Sequence, residues 1–482
     1  MSEFAWLSAK EIVEGIKNKK FSATEVTKAS ISRMEILDKE IHSYCTPTPD
    51  LALKAAKEVD NKISKGEDPG PLAGVPVGIK DLVCTKGIKT VSGSYFYKDF
   101  IPEEDDVSVE RLKDAGAIVL GKTNAPEFGY SGVGHNPVFE TTRNPWNVDL
   151  TPGGSSAGSC ASVVTGVSPF AIASDGGGSI RIPSSLSGTY GMKASMGRVP
   201  LYPGCRDERY PGVSSWESIE HIGPVSNNVR DSALMLSVIS GPDDRDRHSL
   251  PKSDFNWNDC VDGDIKGCKV GFSMDWGYAA VDKEVREIIL NAAKVFEKDL
   301  GCEVIEDNPG WKNPYNDFWA LVILESDLKG MRKLDSENPG KMSPHLSGLI
   351  NRPWSAEDLT NATIGRKHVV NCMWKFMRKY DFVITPTLAC PAFPVHTQGP
   401  EKIDGKMVDP FEWLHFTFPI NMTGQPAASI PAGYTKKGLP VGLQIIGKHL
   451  DDPMVLKASA AFEKASPWLI KRPPILQKLS LK

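Results

Sequence analysis

Ser155 and Ser179 both sit among glycines, in PGGSSAG and SDGGGSIR, and a small-residue segment of helical character joins them. Upstream, Lys80 lies inside the apolar run GVPVGIKDLV. A lysine withdrawn from water has a lowered pKa and can work as a neutral base. A serine beside such a base becomes a usable nucleophile. Gly176, Gly177 and Gly178 lead straight into Ser179, so successive backbone N–H groups can point at one spot. That is how an oxyanion hole is built, and losing one such donor typically costs about 2.7–4 kcal/mol. The glycines before Ser155 allow unusual backbone angles and close approach of a ligand. The helix expected to follow offers its first amides to negative charge. Each feature alone has a structural explanation, since glycine-rich turns join strands to helices and most lysines are solvated. The three together point to a hydrolase with a serine nucleophile and a lysine base. No histidine lies near either serine; His135, in GVGHNPV, reads as a structural hydrogen-bonding residue.

Other motif readings fail on context. Gly154, Ser156 and Gly158 make a GxSxG match, but a nucleophile elbow needs an apolar strand before it, and this chain has NVDLTPGG. Ser249 and Lys252 make an SxxK match in a proline-broken loop, without the KTG that penicillin-binding chemistry also wants. Neither glycine run contains GK[ST] or GxGxxG, so neither is a nucleotide loop.

Short apolar runs and amphipathic segments must position these residues. Ser8 with Glu11 and Ser22 with Glu25 are capping-box signatures, so residues 1–65 read as an N-terminal helical layer, with Glu58, Asp60, Lys62 and Lys65 as its solvated end. Strands are expected at 117–121, 169–174, 269–272, 303–305, 382–385, 427–430 and 441–446, and helices at 106–115, 156–167, 282–300 and up to about Tyr380. Such alternation argues for an α/β architecture with a mixed sheet covered by helices. The stretch 310–365 is the least legible and suggests a helical insertion over 310–380. Residues from Pro467 onward read as a proline-rich surface tail. No linker composition or internal repeat divides the 482 residues, so one large domain is expected.

Composition narrows the functional classes. Lys+Arg number 56 against 60 Asp+Glu, a net charge of −4, which leaves no footprint for nucleic acid or an anionic membrane. Nine cysteines are scattered without CxxC or repeated spacing, as expected of reduced thiols in a cytoplasmic protein rather than a zinc or disulfide framework. The N-terminus lacks a secretory apolar core, and no run is long enough to span a membrane.

The glycine- and serine-rich stretch from Gly153 to Arg198 resembles the signature of the amidase signature hydrolases. The resemblance extends to GVPVGIKD (74–81), GKTNAPEFG (121–129), NPW (144–146), TGQPAASIP and GLPVGLQIIG, and so covers nearly the whole chain, with 74–198 as the catalytic core. It implies one amidase-signature domain with a mixed twisted sheet covered by α-helices on both sides. It implies Ser179 as nucleophile, Ser155 after a cis peptide bond as proton relay, and Lys80 as base. Gly176, Gly177, Gly178 and the Ser179 amide would hold the oxyanion, with Gly129 at the substrate. Asp175 and Arg181 would support the loop. No metal or organic cofactor is implied, the partner would be a small-molecule amide, and a homodimer is left open. A glutamine-hydrolysing subunit of a tRNA-dependent amidotransferase shares the signature, but usually reads SIRQP where this chain has Ile182. Substrate choice is sought in Phe128 and Gly129, the loop 202–216 and the region 311–319. There, Tyr202, Tyr210, Trp216, Trp311 and Trp319 suggest an apolar or aryl group, while Arg206, Asp207, Glu208 and Arg209 suggest a polar or zwitterionic one.

Overall fold

Ser8 and Glu11 close a reciprocal capping box at the start of α1 (Ala9–Lys17), and Ser22 with Glu25 does the same for α2 (Ala23–Ile41). Each box satisfies two amides that a helix start otherwise leaves bare. The computed structural model describes residues 4–204, 209 and 216–481. The N-terminal layer is not all helix, because β1 (Tyr44–Pro47) separates α2 from α3 (Pro49–Lys65). Four residues ending in proline carry no alternation to read, and only the antiparallel pairing with β3 (Ile118–Thr123) makes them a strand. Asp60, expected in solvent, instead accepts hydrogen bonds from the Ala23 and Thr24 amides at the start of α2.

β2 (Pro76–Lys80), β4 (Phe170–Ser174), β5 (Tyr190–Lys193), β6 (Ile222–Ser226), β7 (Lys269–Phe272), β8 (Glu303–Glu306) and β9 (Phe382–Pro386) join β1 and β3 in one sheet. A small separate hairpin pairs β10 (Lys402–Ile403) with β11 (Lys406–Met407). With β12 (Ala427–Tyr434) and β13 (Pro440–Gly447), the large sheet runs β1-β3-β2-β4-β6-β5-β12-β13-β9-β7-β8. The sheet is mixed: β2 is parallel to β3 and β4, β7 is parallel to β8 and β9, and the central strands pair antiparallel. Strands β5 and β6 carry no expectation from sequence, because glycine and lysine break the short apolar runs YGMK and IGPVS.

The helices cover both faces. α4 (Val107–Asp114) leads into β3, and α5 (Ala157–Val164) lies across β2, β3, β4 and β6. α6 (Arg181–Ser187) follows β4 and packs on α5, β5, β12 and β13. α7 (Val229–Ile239), α8 (Lys283–Lys294) and a later helix, α14 (Asp452–Ala465), cover β5, β6, β9, β12 and β13. Between 310 and 380 the chain is helical: α9 (Tyr315–Leu324), α10 (Leu328–Glu337), α11 (Pro344–Asn351) and α12 (Ala356–Met377), with α13 (Phe418–Thr423) packed beside α9 and α12. The C-terminal tail does not simply lie on the surface. It turns into a 3₁₀ helix (Pro474–Leu481), and Ile475 packs against Leu37 and Ile41 of α2.

Alternation along β4 explains how α5 approaches. Ala171 and Ala173 face Cys160 and Val163 of α5, while Phe170 and Ile172 face the larger core. In the parallel register Gly78 lies beside Ala171, so Lys80, two residues on, points to the α5 face. Small side chains on that face let the helix press close. At Gly158 a Cβ would lie 2.1 Å from the Ser43 carbonyl oxygen and 2.4 Å from the Asn124 nitrogen, both backbone atoms. Alanine at 158 would gain about 1 kcal/mol of helix propensity, yet Gly158→Ala is expected to destabilise the protein by about 1–3 kcal/mol in urea unfolding, because α5 must move away from the sheet.

Candidate active site

Lys80 is the last residue of β2 and Ser174 the last of β4, two parallel neighbours ending at the same sheet edge. Carboxyl ends of parallel strands are where α/β proteins build sites. The Lys80 side chain is fully buried. Its Nζ lies 2.7 Å from the Ser155 Oγ, 2.9 Å from the Ser174 Oγ and 3.2 Å from the Ser174 carbonyl oxygen. All three oxygens are partners for the Nζ hydrogens, and a neutral amine, with two N–H donors and one lone pair, would be placed to accept the Ser155 hydroxyl proton instead. Burial pushes the Lys80 ammonium down to about 8, with Glu220 and Asp175 opposing.

The Gly154–Ser155 peptide is cis. The Ser156 amide donates to the Ser179 carbonyl oxygen at 3.2 Å, which sets the two serine segments side by side. Ser156 itself is committed elsewhere: its hydroxyl donates to the Ser174 carbonyl oxygen and accepts from the Ser174 amide. A side chain on Gly129 would meet Leu82 at 2.8 Å and the Ser155 Oγ at 3.4 Å, and its φ of +78° favours glycine. Gly129 therefore keeps the approach to Ser155 open.

The glycine run is held from beneath by Asp175. Its carboxylate accepts the Gly178 amide at 2.7 Å, the Ile180 amide at 3.2 Å and two N–H groups of Arg181 at 2.9 Å each. Burial alone would raise this carboxyl. Arg181, Lys193 and Asn421 outweigh that and hold it far below the usual carboxylate range. Arg181 reaches on to the Thr417 carbonyl oxygen, Gln444 and Asn421, tying the loop to β13 and α13. One expectation changes here: the Gly178 amide is already used by Asp175. The amides of Gly176, Gly177 and Ser179 make no hydrogen bond among the described residues and remain open to an oxyanion.

Gly129, Gly176, Gly177 and Ser179 line a pocket. Its walls are aromatic: Phe318 stacks on Phe418 at 4.9 Å, Trp319 meets Phe411 edge-on at 5.2 Å, and Tyr130 meets Trp216 at 4.5 Å. The Phe318 ring lies 2.7 Å from where a Cβ on Gly177 would sit, so aromatic wall and glycine loop touch. No lining side chain among the described residues is charged. Of the expected lining residues, Gly129, Trp216 and Trp319 take part. Phe128 is buried beneath the pocket, Trp311 packs on Trp276, and Tyr202 stacks under Arg245. Arg209 pairs with Glu104, and Arg206, Asp207, Glu208 and Tyr210 lie outside the described residues. Gln425 spans to the Gly447 carbonyl oxygen as part of a turn, and His135 contacts Gln398.

Sequence reasoning missed Ser174, Thr417, Asn421 and Gln444, together with Tyr130, Phe411 and Phe418, whereas Phe318 falls in the expected region 311–319. Only Ser174 had a readable signal, as the residue closing a strand beside the lysine strand. The others come from segments more than two hundred residues away in several cases, with nothing local to mark them.

A buried amine, two glycine-flanked serine segments and unpaired amides thus meet at one end of a mixed sheet. Comparison with known proteins gives the family. The Amidase family model matches residues 25–456, and the chain belongs to the amidase signature family, whose enzymes hydrolyse carbon–nitrogen bonds. It is 36% identical to an acylamidase of Rhodococcus erythropolis, covering 97% of each chain. It is also 36% identical to a glutamyl-tRNA(Gln) amidotransferase subunit of Carboxydothermus hydrogenoformans, over 98% of this chain and 100% of that one. A crystal structure of a bacterial aryl acylamidase of the same family superposes with a TM-score of 0.90 at 32% identity over the full length of both.

Removing the Asp175 charge leaves Arg181 buried without its partner. Asp175→Asn is expected to lower the unfolding free energy at neutral pH by about 3–5 kcal/mol, read by urea denaturation. Because the native carboxyl is depressed, its stabilisation is complete above the unfolded value near 4 and fades as pH falls. The difference between wild type and variant should therefore shrink below about pH 4.

Proposed function

We propose that this chain hydrolyses a carboxamide to a carboxylic acid and ammonia or an amine, with Ser179 as nucleophile, Ser155 as relay and Lys80 as base. The observation that carries this reading is the 2.7 Å contact between the Lys80 amine and the Ser155 hydroxyl in a water-excluding site. Ser179 Oγ attacks the carbonyl carbon, its proton passes to Ser155, and the Ser155 proton passes to Lys80. The oxyanion takes hydrogen bonds from the amides of Gly176, Gly177 and Ser179. As the C–N bond breaks, Lys80 returns the proton through Ser155 to the leaving nitrogen. Water then attacks the acyl ester by the same relay and frees the acid. The steps balance without a cofactor.

An uncharged aromatic pocket suits an apolar, aryl-bearing amide. A second reading is the glutamine-hydrolysing subunit of a tRNA-dependent amidotransferase, supported by the likeness to the Carboxydothermus protein. Free glutamine carries an ammonium and a carboxylate that call for charged partners, and the described lining supplies none. That favours the amidase. Eight described cysteines are free, which fits a reducing compartment such as the cytoplasm, and among the described residues no helix is long and apolar enough to cross a membrane.

Amine or ammonia release by the purified chain from a panel of aryl and aliphatic amides tests the reading. Aryl amides should be turned over best, and Ser179→Ala should abolish both turnover and acyl-enzyme. Lys80→Ala and Ser155→Ala should each lose about 10²–10⁴-fold with folding retained. Turnover of glutamine alone would favour the amidotransferase reading. Loss of activity in Ser156→Ala but not Ser155→Ala would overturn the relay.

The base must be uncharged to accept a proton. Wild-type kcat/KM is therefore expected to rise with pH through about 8, as Lys80 loses its proton, and then to level off. A profile flat from acid to alkaline pH would rule out a lysine base.

A further inference from the structure

Glu220 lies within the site's core, and the triad chemistry gives it no task. Its side chain is only 3% exposed, and its Oε1 makes no hydrogen bond. The other oxygen lies 2.7 Å from where a Cβ on Gly176 would sit, against the first glycine of the oxyanion loop. Glu220 and Ser174 share the wall of a small enclosed space behind Lys80, closed by Leu82, Val83, Leu201 and Ile222. The Ser174 hydroxyl on this wall accepts from the Lys80 Nζ at 2.9 Å. Ser174 thus stands between the amine it bonds and the space it shares with the carboxyl.

We propose that Glu220 is a positioning residue for the base: from the space it shares with Ser174, its carboxylate stabilises the ammonium that forms when Lys80 takes the proton of Ser155. This role rests on the reading of Lys80 as the base. A buried ammonium without a partner is expensive, and the charge appears only as the reaction proceeds. A carboxylate already in place favours the charged intermediate over the neutral resting amine, which is what lowers a barrier. The other ionisable groups facing this pair are occupied or apolar in character. Asp175 is tied to Arg181. Asp106, across the small space, accepts from Ser108 and is pushed by burial up to about 7. The Cys160 thiol of α5 is raised by burial to about 12. Burial also lifts the Glu220 carboxyl to about 7, while Lys80 and Ser174 pull against it.

Glu220→Gln keeps the shape and removes the charge. The test is the pH profile of kcat/KM for the full-length variant on an aryl 4-nitroanilide, with competent sites counted by the acylation burst and folding followed by circular dichroism. Without the carboxylate the ammonium is less stable, so the acid limb should move towards lower pH by about one pH unit or more. Plateau kcat should fall by about tenfold, because the amine is a weaker base. Ser174→Ala removes the hydroxyl that holds the amine beside this space and should move the limb in the same direction. A folded Glu220→Gln with a full burst and an unmoved limb, or one moved to higher pH, overturns the proposal. If Glu220→Gln does not fold, Glu220→Asp, which draws the charge back by one methylene, takes its place, and an unmoved limb there overturns it alone. Activity surviving in Ser179→Ala, or no acid limb in the wild type, would instead overturn the underlying triad.

Discussion

A primary amine has to be kept dry while its lone pair faces a hydroxyl. Water would hydrate and protonate Lys80, and an ammonium cannot accept a proton. The arrangement around β2, β4 and α5 follows from that requirement. Lys80 emerges from a sheet centre on the face where its neighbours are Gly78, Ala171 and Ala173, small enough for α5 to seal it. The same closeness brings the turn before α5, with Ser155, within 2.7 Å of the amine. Packing and the state of the amine are here a single constraint: whatever loosens the helix also wets Lys80.

Around this dry centre the chain distributes charge with care. Asp175, Arg181 and Lys193 are all buried, and each has its hydrogen bonds filled by backbone or by amide side chains such as Asn421 and Gln444. A buried ion pair is a poor source of stability compared with apolar packing, but a well-satisfied one holds direction. In this protein it holds the glycine loop, leaving unpaired the amides of three residues that line the pocket. The loop's backbone cannot be replaced by side-chain-bearing residues. At Gly178, with φ +129°, a Cβ would strike Thr417 at 2.4 Å, and at Gly176 it would strike Trp216 and Glu220.

Recognition is handled by a different part of the chain. The aromatic wall comes from α9, α13 and the segment around Phe411, far in sequence from the serines. Chemistry lies on the sheet and the two helices that follow its strands, while the pocket lies on helices laid over them. Such a division lets the pocket change without disturbing the buried amine and its serine neighbours.

The local patterns in the chain were enough for the capping boxes, most strands, the buried lysine and both serines. Each is encoded by nearest neighbours: hydroxyl and carboxylate three residues apart, apolar runs of strand length, glycines where a Cβ has no room. Lys80, Ser155, Ser179, Asp175 and Arg181 all fall in such patterns, while the ion pair of the last two is seen only in the fold. What could not be read depends on contacts between distant segments. β1 is a strand only because β3 lies beside it, the C-terminal tail is ordered only because α2 offers Leu37 and Ile41, and Gly178 loses its free amide only because Asp175 turns back on it. The aromatic pocket and the space shared by Ser174 and Glu220 are of the same kind. A linear pattern reports what a residue's neighbours in sequence require, and these features are set by neighbours in space that only folding supplies.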